Sequence, residues 1–208
     1  MTCRIHLKNN SKIMPGIAGI IGPRPAVEKE QDVRLMLDSM QHESFYASGT
    51  HTDEASGLCI GWIRDKEINP NPMPVTDGKK DLRLFFHGEH HPSLEEISTL
   101  PSGQQATNNS GDRFALALLE HHGIDGLKKL NGWFHAVLIE PKRNRVVVAN
   151  DRYGMQRLYY YEEEDSVVFA SEAKALLRVL TTVRRIDSLG LAEYCSTGCA
   201  LQNRTLFA

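Results

Sequence analysis

The nine residues Met14-Pro15-Gly16-Ile17-Ala18-Gly19-Ile20-Ile21-Gly22 form a short apolar run punctuated by glycines near the start of the chain. Short apolar runs bounded by turn residues are typical of buried strands, and glycines within them permit close approach of neighbouring backbone. The following Gly22-Pro23-Arg24-Pro25 indicates a turn. We therefore expect a thin, tightly packed strand around which the rest of the chain is organised.

The composition is that of an ordinary globular protein. The chain has 208 residues, of which 41% are hydrophobic and 24% are charged, enough for one domain or one domain plus an extension. A net charge of −2 argues against a nucleic-acid-binding role driven by basic surface. No apolar run approaches the roughly 18 residues that cross a bilayer. We expect a cytoplasmic protein that binds neither nucleic acid nor membrane.

The four cysteines, Cys3, Cys59, Cys195 and Cys199, are scattered and include no Cys-x-x-Cys pair. Structural zinc sites need closely spaced pairs, and cytoplasmic cysteines are normally reduced. The pattern favours reduced thiols and no zinc site.

Helical and strand patterns follow one another along the chain. A 3.6-residue apolar repeat over residues 27–40 predicts an amphipathic helix, with Val33, Leu35, Met36, Leu37 and Met40 as its apolar side chains. Asp187 precedes a further predicted helix as its N-cap. Strands are expected at 57–64, 82–86, 131–139 and 145–150, and helices at 114–121, 124–130 and 187–197.

Two motifs late in the chain are the most specific. Asp151-Arg152-Tyr153-Gly154-Met155-Gln156-Arg157-Leu158-Tyr159-Tyr160 resembles the pattern Asp-Arg-x-Gly-x-Lys-Pro-Leu-Tyr-Tyr, and Phe169-Ala170-Ser171-Glu172-Ala173-Lys174-Ala175-Leu176 resembles Phe-Ala-Ser-Glu-x-Lys-Ala-Leu. Both patterns belong to the N-terminal glutamine-amidotransferase domain of asparagine synthetases, a class II, N-terminal-nucleophile amidotransferase. Residues 131–139 are similar to a third pattern of that family, Leu-x-Gly-x-Phe-Ala-Phe-Ala. The resemblance covers about residues 15–207.

The resemblance implies an α+β fold, the four-layer αββα sandwich of N-terminal-nucleophile hydrolases, with two antiparallel sheets between helix layers. It divides the chain into a leader or extension at 1–14, the amidotransferase-like domain at 15–180, and the start of a linker at 181–208. In the family that linker leads to an ATP-using synthetase domain, which is absent from this chain. No cofactor is therefore expected in this chain.

The family begins Met-Cys-Gly-Ile-x-Gly, and its cysteine attacks the glutamine amide while the free α-amine acts as base. Pro15 stands at the position of that cysteine and carries no thiol. Cys3 and Thr2 are out of register with the site, which leaves Cys59 or water as replacement nucleophiles. The resemblance thus predicts a domain inactive as a glutaminase, and whether the chain is an enzyme stays open.

The same resemblance identifies the other site residues. Arg64 falls where the family binds the α-carboxylate of glutamine, a task that suits the planar guanidinium fork. His87 and Gly88 occupy the oxyanion-hole positions, with His87 replacing an asparagine, and Glu89 follows them. Asp112 aligns with the aspartate that binds the α-amino group. Asp112 also suits a helix N-cap, and both roles can hold at once.

Two further stretches bear on the pocket. Residues 41–46 replace the family's Arg-His-Arg-Gly-Pro-Asp, of which only His42 remains. The sequence His87-Gly88-Glu89-His90-His91 has a metal-like spacing on an expected loop, which is weak evidence, and we predict no metal site there.

Two functions of different class follow. One is an inactive amidotransferase domain with a structural or partner-contact role beside a synthetase domain or subunit in an amide-forming system. The other is a module that binds or senses glutamine or a related amino acid through Arg64 and Asp112. Residual glutamine hydrolysis is a lesser alternative, and a homodimer is left open.

Overall fold

The computed structural model describes residues 16–65, 73–78, 82–92, 111–202 and 204–207. The predicted leader at 1–14 and Pro15 lie outside these residues. The strands in the described part of the chain form two antiparallel sheets. Their bounds are β1 Ile17–Ile21, β2 Tyr46–Asp53, β3 Leu58–Asp65, β4 Val75–Thr76, β5 Arg83–His90, β6 Gly132–Glu140, β7 Arg145–Asn150, β8 Tyr159–Glu163 and β9 Ser166–Ala170.

Sheet A has the strand order β2-β3-β1-β9-β8, which places β1 at its centre. Ile17 lies opposite Trp62 of β3, and Gly19 lies opposite Phe169 of β9. The predicted first strand is confirmed. Sheet B has the order β4-β5-β6-β7, in which β5 is paired with β6 along all of its residues, Arg83–His90.

The helices are α1 Ala26–Met40, α2 Gly111–His122, α3 Ala173–Val179 and α4 Ser188–Thr197. The first three lie on the outer faces of the two sheets. Helix α1 packs on β1, β2 and β3 of sheet A and on helix α3, whereas helix α2 packs on β4 and β5 of sheet B. Two 3-10 segments, Gly123–Lys129 and Pro141–Arg143, flank β6.

Three apolar clusters fill the spaces between these layers, and the arrangement confirms the predicted αββα sandwich. The first fills the space between sheet A and its helices, and includes Ile20 and Met36. The second lies between sheet B and α2, and includes Phe86 and Leu118. The third joins the two sheets face to face: Ile17, Leu58, Ile60, Trp62, Phe85, Val137, Ile139 and Phe169.

Alternation along the strands assigns each residue to a face. In β3, Leu58, Ile60 and Trp62 contribute to the cluster between the sheets, whereas Cys59 and Ile63 contribute to the helix-side cluster. Successive strand residues point to opposite faces, so Arg64 shares the inner face with Trp62.

Some predictions need correction. Strand β2 was missed because its Ser, Gly, Thr and His residues show no apolar alternation, and it is an edge strand of sheet A in the described structure. The residues after Phe86 were expected to leave the strand, yet β5 continues to His90. Leu35 is exposed, because the four other residues of the predicted apolar repeat, Val33, Met36, Leu37 and Met40, occupy the buried side of α1. The segment at Gly123–Lys129 is a 3-10 helix.

The predicted cap of the last helix is confirmed. The carboxylate of Asp187 accepts hydrogen bonds from the backbone N–H groups of Leu189 and Gly190. These bonds satisfy donors that have no partner within the helix. None of the helices in the described residues is both long enough and apolar enough to cross a membrane.

Candidate functional site

Strands β3 of sheet A and β5 of sheet B run in the same direction across the sandwich. Arg83 at the start of β5 forms an ion pair of 2.6 Å with Asp53, which lies opposite Leu58 at the start of β3. Further along, the rings of Trp62 and Phe85 are 5.6 Å apart between centroids. The last residues of both strands therefore lie at one end of the sandwich, which we call the site end.

The site end also holds the start of β1. The carbonyl oxygen of Gly16 accepts a hydrogen bond of 2.8 Å from the N–H of Ile63, the residue before Arg64. Gly16 is the neighbour of Pro15 in sequence and is buried against Ser171 and Met40. A bulkier residue than glycine would collide with Ser171 there, which explains the glycine. The structure thus brings the beginning of the described chain next to Arg64.

The residues His87, Gly88 and Glu89 belong to the last part of β5 at the same end. Phe85 belongs to the cluster between the sheets and Phe86 to the helix-side cluster, so His87 and Glu89 share the inner face with Phe85. His87 is buried and Glu89 is half-buried. Arg64, His87 and Glu89 consequently lie on facing surfaces of the two sheets at the site end.

Gly88 has a backbone conformation that requires glycine. Its φ angle is +135°, and a Cβ atom there would collide with the carbonyl oxygen of Trp133 and lie 2.6 Å from the Cα atom of Phe134. Residues with a side chain rarely adopt such a φ angle. The close packing of β5 on β6 at this level therefore depends on the absence of a side chain at Gly88.

Asp112 lies in a different layer. It is buried in the first turn of α2, on the outer side of sheet B, and its carboxylate accepts the N–H of Arg113 at 2.8 Å. A Cβ atom on the neighbouring Gly111 would lie 3.4 Å from the backbone nitrogen of His90. Asp112 is thus at the site end, separated from the inner face by β5. The helix begins at Gly111, so Asp112 lies inside the first turn of α2 and not at the expected N-cap position.

A row of polar residues crosses the inner face of sheet B at the level of His87. His87 lies opposite His135 of β6, and His135 lies opposite Asn150 of β7. The next inner-face level is apolar, with Phe85, Val137 and Val148. The polar row therefore marks the boundary between the apolar centre and the site end.

Sequence analysis did not single out His135. It is 1% exposed, and its Nε2 lies 2.9 Å from the carbonyl oxygen of Arg157, to which it donates. Burial lowers the pKa of His135, so the imidazole is neutral. The signal was a histidine within the otherwise apolar run of β6, but only strand pairing shows that it adjoins His87.

The segment between β7 and β8 is held at the site end by Asp151. Its buried carboxylate accepts hydrogen bonds from the backbone N–H groups of Tyr153, Met155 and Gln156. This gives the Asp-Arg-x-Gly-like motif a structural explanation, because one carboxylate orders the turn that carries the chain from sheet B to sheet A. The side chains of Tyr153 and Met155 remain exposed.

The geometry argues against one metal ion shared by the histidines of β5. His87 is on the inner face, whereas His90 is on the helix side, where its ring stacks on Phe114 at 4.8 Å and its Nδ1 accepts the N–H of Asn131. Two residues on opposite faces of one strand do not reach the same ion. Among the described residues no group of three or more His, Cys, Asp and Glu side chains is arranged to hold a metal.

The structure also removes Cys59 as a replacement nucleophile. The thiol is fully buried in the cluster between sheet A and its helices, on the face opposite to Arg64. Cys59 is near the start of β3, and burial raises the pKa of its thiol. The thiol of Cys59 is on the helix side of β3, away from the site end, and burial keeps it protonated. It therefore cannot attack a ligand bound beside Arg64.

The sequence is similar to a family of known proteins. Residues 14–208 match the family model of a glutamine amidotransferase domain. The chain is 27% identical over 188 residues to asparagine synthetase [glutamine-hydrolyzing] 1 of Bacillus subtilis, covering 88% of this chain and 29% of that protein. It is 25% identical to asparagine synthetase B of Escherichia coli, over 78% of this chain and 30% of that protein.

The same similarity extends beyond asparagine synthetases. The amidase chry2 of Gibberella zeae is 25% identical over 71% of this chain and 22% of its own length. The chain therefore spans about a quarter of the length of the curated relatives it matches.

Solved structures support the fold independently. The glutamine phosphoribosylpyrophosphate amidotransferase of Bacillus subtilis superposes with a TM-score of 0.59, at 19% identity, over 79% of this chain and 43% of that chain. At this identity the likeness concerns the fold alone.

Proposed function

The chain belongs to the family of glutamine amidotransferase domains, of the type at the N-terminus of asparagine synthetases, and on that premise we propose that it does not hydrolyse glutamine. We propose instead a structural or partner-contact role beside a synthetase domain or subunit in an amide-forming system. The observation that carries the proposal is the residue before Gly16. It is Pro15, at the place where the family has its cysteine.

Without a thiol the reaction lacks its first step. The family's cysteine adds to the amide carbon, and loss of a catalytic nucleophile costs on the order of a millionfold in turnover in other enzymes. The buried thiol of Cys59, on the far face of β3, offers no substitute. His87 in place of the oxyanion-hole asparagine weakens the site further, because an imidazole presents its N–H at a different reach.

Exposed apolar side chains support the partner-contact role. They lie on the turn after β7, on β8 and on helix α4, and all are at least 44% exposed: Tyr153, Met155, Tyr160, Leu189, Leu191 and Tyr194. A groove of about 740 Å³ lies between β8 and the C-terminal segment, with Arg157 and Tyr194 among its lining residues. Tyr160 and Tyr194 both line this groove, and exposed apolar side chains that lie together are typical of contact sites.

A second candidate function is a module that binds an amino acid. The polar groups that lie together at the site end favour it. Arg64 and His87 lie on facing surfaces of the two sheets, and Gly88 retains a backbone N–H beside them. A guanidinium can hold an α-carboxylate even where no nucleophile is present. This candidate requires a ligand to bind without turnover.

The decisive experiment measures ammonia and glutamate release from millimolar glutamine. Three chains are compared: the unmodified chain, a Pro15→Cys variant beginning at Met14, and a matched Pro23→Cys variant that adds an exposed thiol in the turn after β1. We expect no turnover by the unmodified chain or by Pro23→Cys. Steady turnover by the unmodified chain would overturn the proposal.

The Pro15→Cys variant tells how much of the pocket remains. Activity in this variant alone would mean that only the thiol is missing, whereas inactivity would mean that His87 and residues 41–46 have altered the pocket as well. Calorimetric titration of the unmodified chain with glutamine separates the two candidates, since only the binding module releases or absorbs heat on saturation.

A further inference from the structure

The second nitrogen of His135 is a buried acceptor without a donor. Because Nε2 donates to the Arg157 carbonyl, the proton of the neutral ring is on Nε2, and Nδ1 presents a lone pair. Nδ1 is buried and has no hydrogen-bond partner among the described residues. A buried acceptor left unpaired is unfavourable, and such an atom in a native structure calls for an explanation.

The place of His135 shows what could supply the donor. On one side its cross-strand neighbour is His87, which stands at an oxyanion-hole position, and on the other side it is Asn150. Asn150 donates one of its two amide N–H bonds to the carbonyl oxygen of Gln156 at 2.9 Å, and its other N–H makes no hydrogen bond to Nδ1 of His135. Opposite strand residues have Cβ atoms about 4.5–5.5 Å apart, so a group that contacts the His87 ring is within reach of His135.

We propose that Nδ1 of His135 accepts a hydrogen bond from the side-chain carboxamide of a bound amino acid and thereby selects glutamine over glutamate. The inference rests on the second candidate function, an amino-acid site at the site end. Arg64 would hold the α-carboxylate, and the carboxamide N–H₂ would lie against His135. The carboxylate of glutamate would instead direct an oxygen lone pair at the Nδ1 lone pair.

The tautomer makes His135 suited to this selection. A neutral ring with Nε2–H cannot turn its proton to Nδ1 without losing the bond to Arg157. Burial disfavours the doubly protonated ring, which would otherwise donate a hydrogen bond from Nδ1 to a carboxylate. Sites whose buried polar groups are left unpaired by the wrong ligand discriminate strongly.

The test measures the dissociation constants of glutamine and glutamate by calorimetry for the full chain and three variants. His135→Leu removes the acceptor. His135→Asn keeps an acceptor oxygen near the place of Nδ1. His51→Leu is the matched control. His51 is also an inner-face histidine, and its buried Nε2 has no hydrogen-bond partner among the described residues, but its ring contacts Phe85 and lies near the Arg83 end.

We expect the unmodified chain to bind glutamine more tightly than glutamate. His135→Leu should weaken glutamine binding about tenfold without weakening glutamate binding, as expected for one lost hydrogen bond. His135→Asn should restore part of the difference, and His51→Leu should change neither constant. Circular dichroism confirms that each variant is folded.

Three results would overturn the inference. If His135→Leu binds glutamine as well as the unmodified chain does, the amino-acid site stands but His135 has no part in it. If His135→Leu weakened the binding of glutamine and of glutamate by the same factor, Nδ1 would not contact the carboxamide. If the unmodified chain binds neither ligand, the inference and the second candidate function fail together.

Discussion

At the scale of single residues, Gly88 shows how one missing side chain holds two strands together. Its φ angle of +135° and its contact with the backbone of Trp133 and Phe134 leave no room for a Cβ atom. The neighbouring His87 is aligned with His135 only while β5 and β6 keep this spacing. The glycine that close strand packing requires at position 88 therefore also sets the geometry of the site end.

We predict that Gly88→Ala lowers the free energy of unfolding by about 2–4 kcal/mol, because it adds backbone strain and forces the strands apart. Chemical denaturation followed by circular dichroism measures the loss. Gly78→Ala is the matched control, because a Cβ atom there meets nothing within 4 Å. That variant should change the stability by less than about 0.5 kcal/mol. Equal midpoints for the two variants would contradict the prediction.

At the scale of elements, the two sheets are joined by an ion pair as well as by apolar packing. Asp53 at the end of β2 accepts from Arg83 of β5 at 2.6 Å and from Ser56 at 2.5 Å. Burial by itself would raise the pKa of Asp53, but the bonds from Ser56 and Arg83 outweigh it and the pKa lies below its ordinary value of 3.8. The pair fixes how β5 is placed along sheet A.

The depressed pKa determines how this contribution depends on pH. The unfolded chain binds a proton at higher pH than the folded chain, so the stabilisation is complete above the unfolded pKa and is lost as pH falls through the folded pKa. We predict that Asp53→Asn destabilises the protein by about 1–2 kcal/mol at neutral pH. The difference from the unmodified chain should shrink below about pH 4.

Urea denaturation at several pH values between neutrality and pH 3 measures this difference. Asp165→Asn in the turn between β8 and β9 is the matched control, since Asp165 is exposed. It should leave the pH profile unchanged. A difference between Asp53→Asn and the unmodified chain that grows on acidification would show that the sign is wrong.

At the scale of the whole molecule, the apolar layer between the sheets makes the sandwich one cooperative unit. Phe85 is fully buried and contacts Trp62 of the other sheet and His51 of β2. Each sheet also packs on its own helices, so the inner layer is the main apolar connection between the two halves.

We predict that Phe85→Ala lowers the free energy of unfolding by about 3–5 kcal/mol, the usual cost of a cavity of this size, and that the transition stays cooperative. Tryptophan fluorescence and far-ultraviolet circular dichroism should report the same midpoint. Tyr153→Ala, which truncates an exposed ring, should have little effect. Two separate midpoints would show that the sheets unfold independently.

The sequence by itself determined the class of fold and most of its elements. The apolar run at β1, the repeat in α1, the cap at Asp187 and the two late motifs are local patterns, and each depends on neighbours in the chain. Local patterns also showed that Pro15 brings no thiol. Strand β2 escaped detection because an edge strand with polar residues lacks the alternation on which such predictions depend.

Only the tertiary structure decided which residues meet. Alternation shows that Cys59 and Arg64 lie on opposite faces of one strand, but it does not show which of the two faces packs against the other sheet. The pairing of His135 with His87 joins residues 48 positions apart, and it depends on the register of β5 with β6. Register is set by packing and by close contacts such as that at Gly88, which act between distant parts of the chain and leave no local signature.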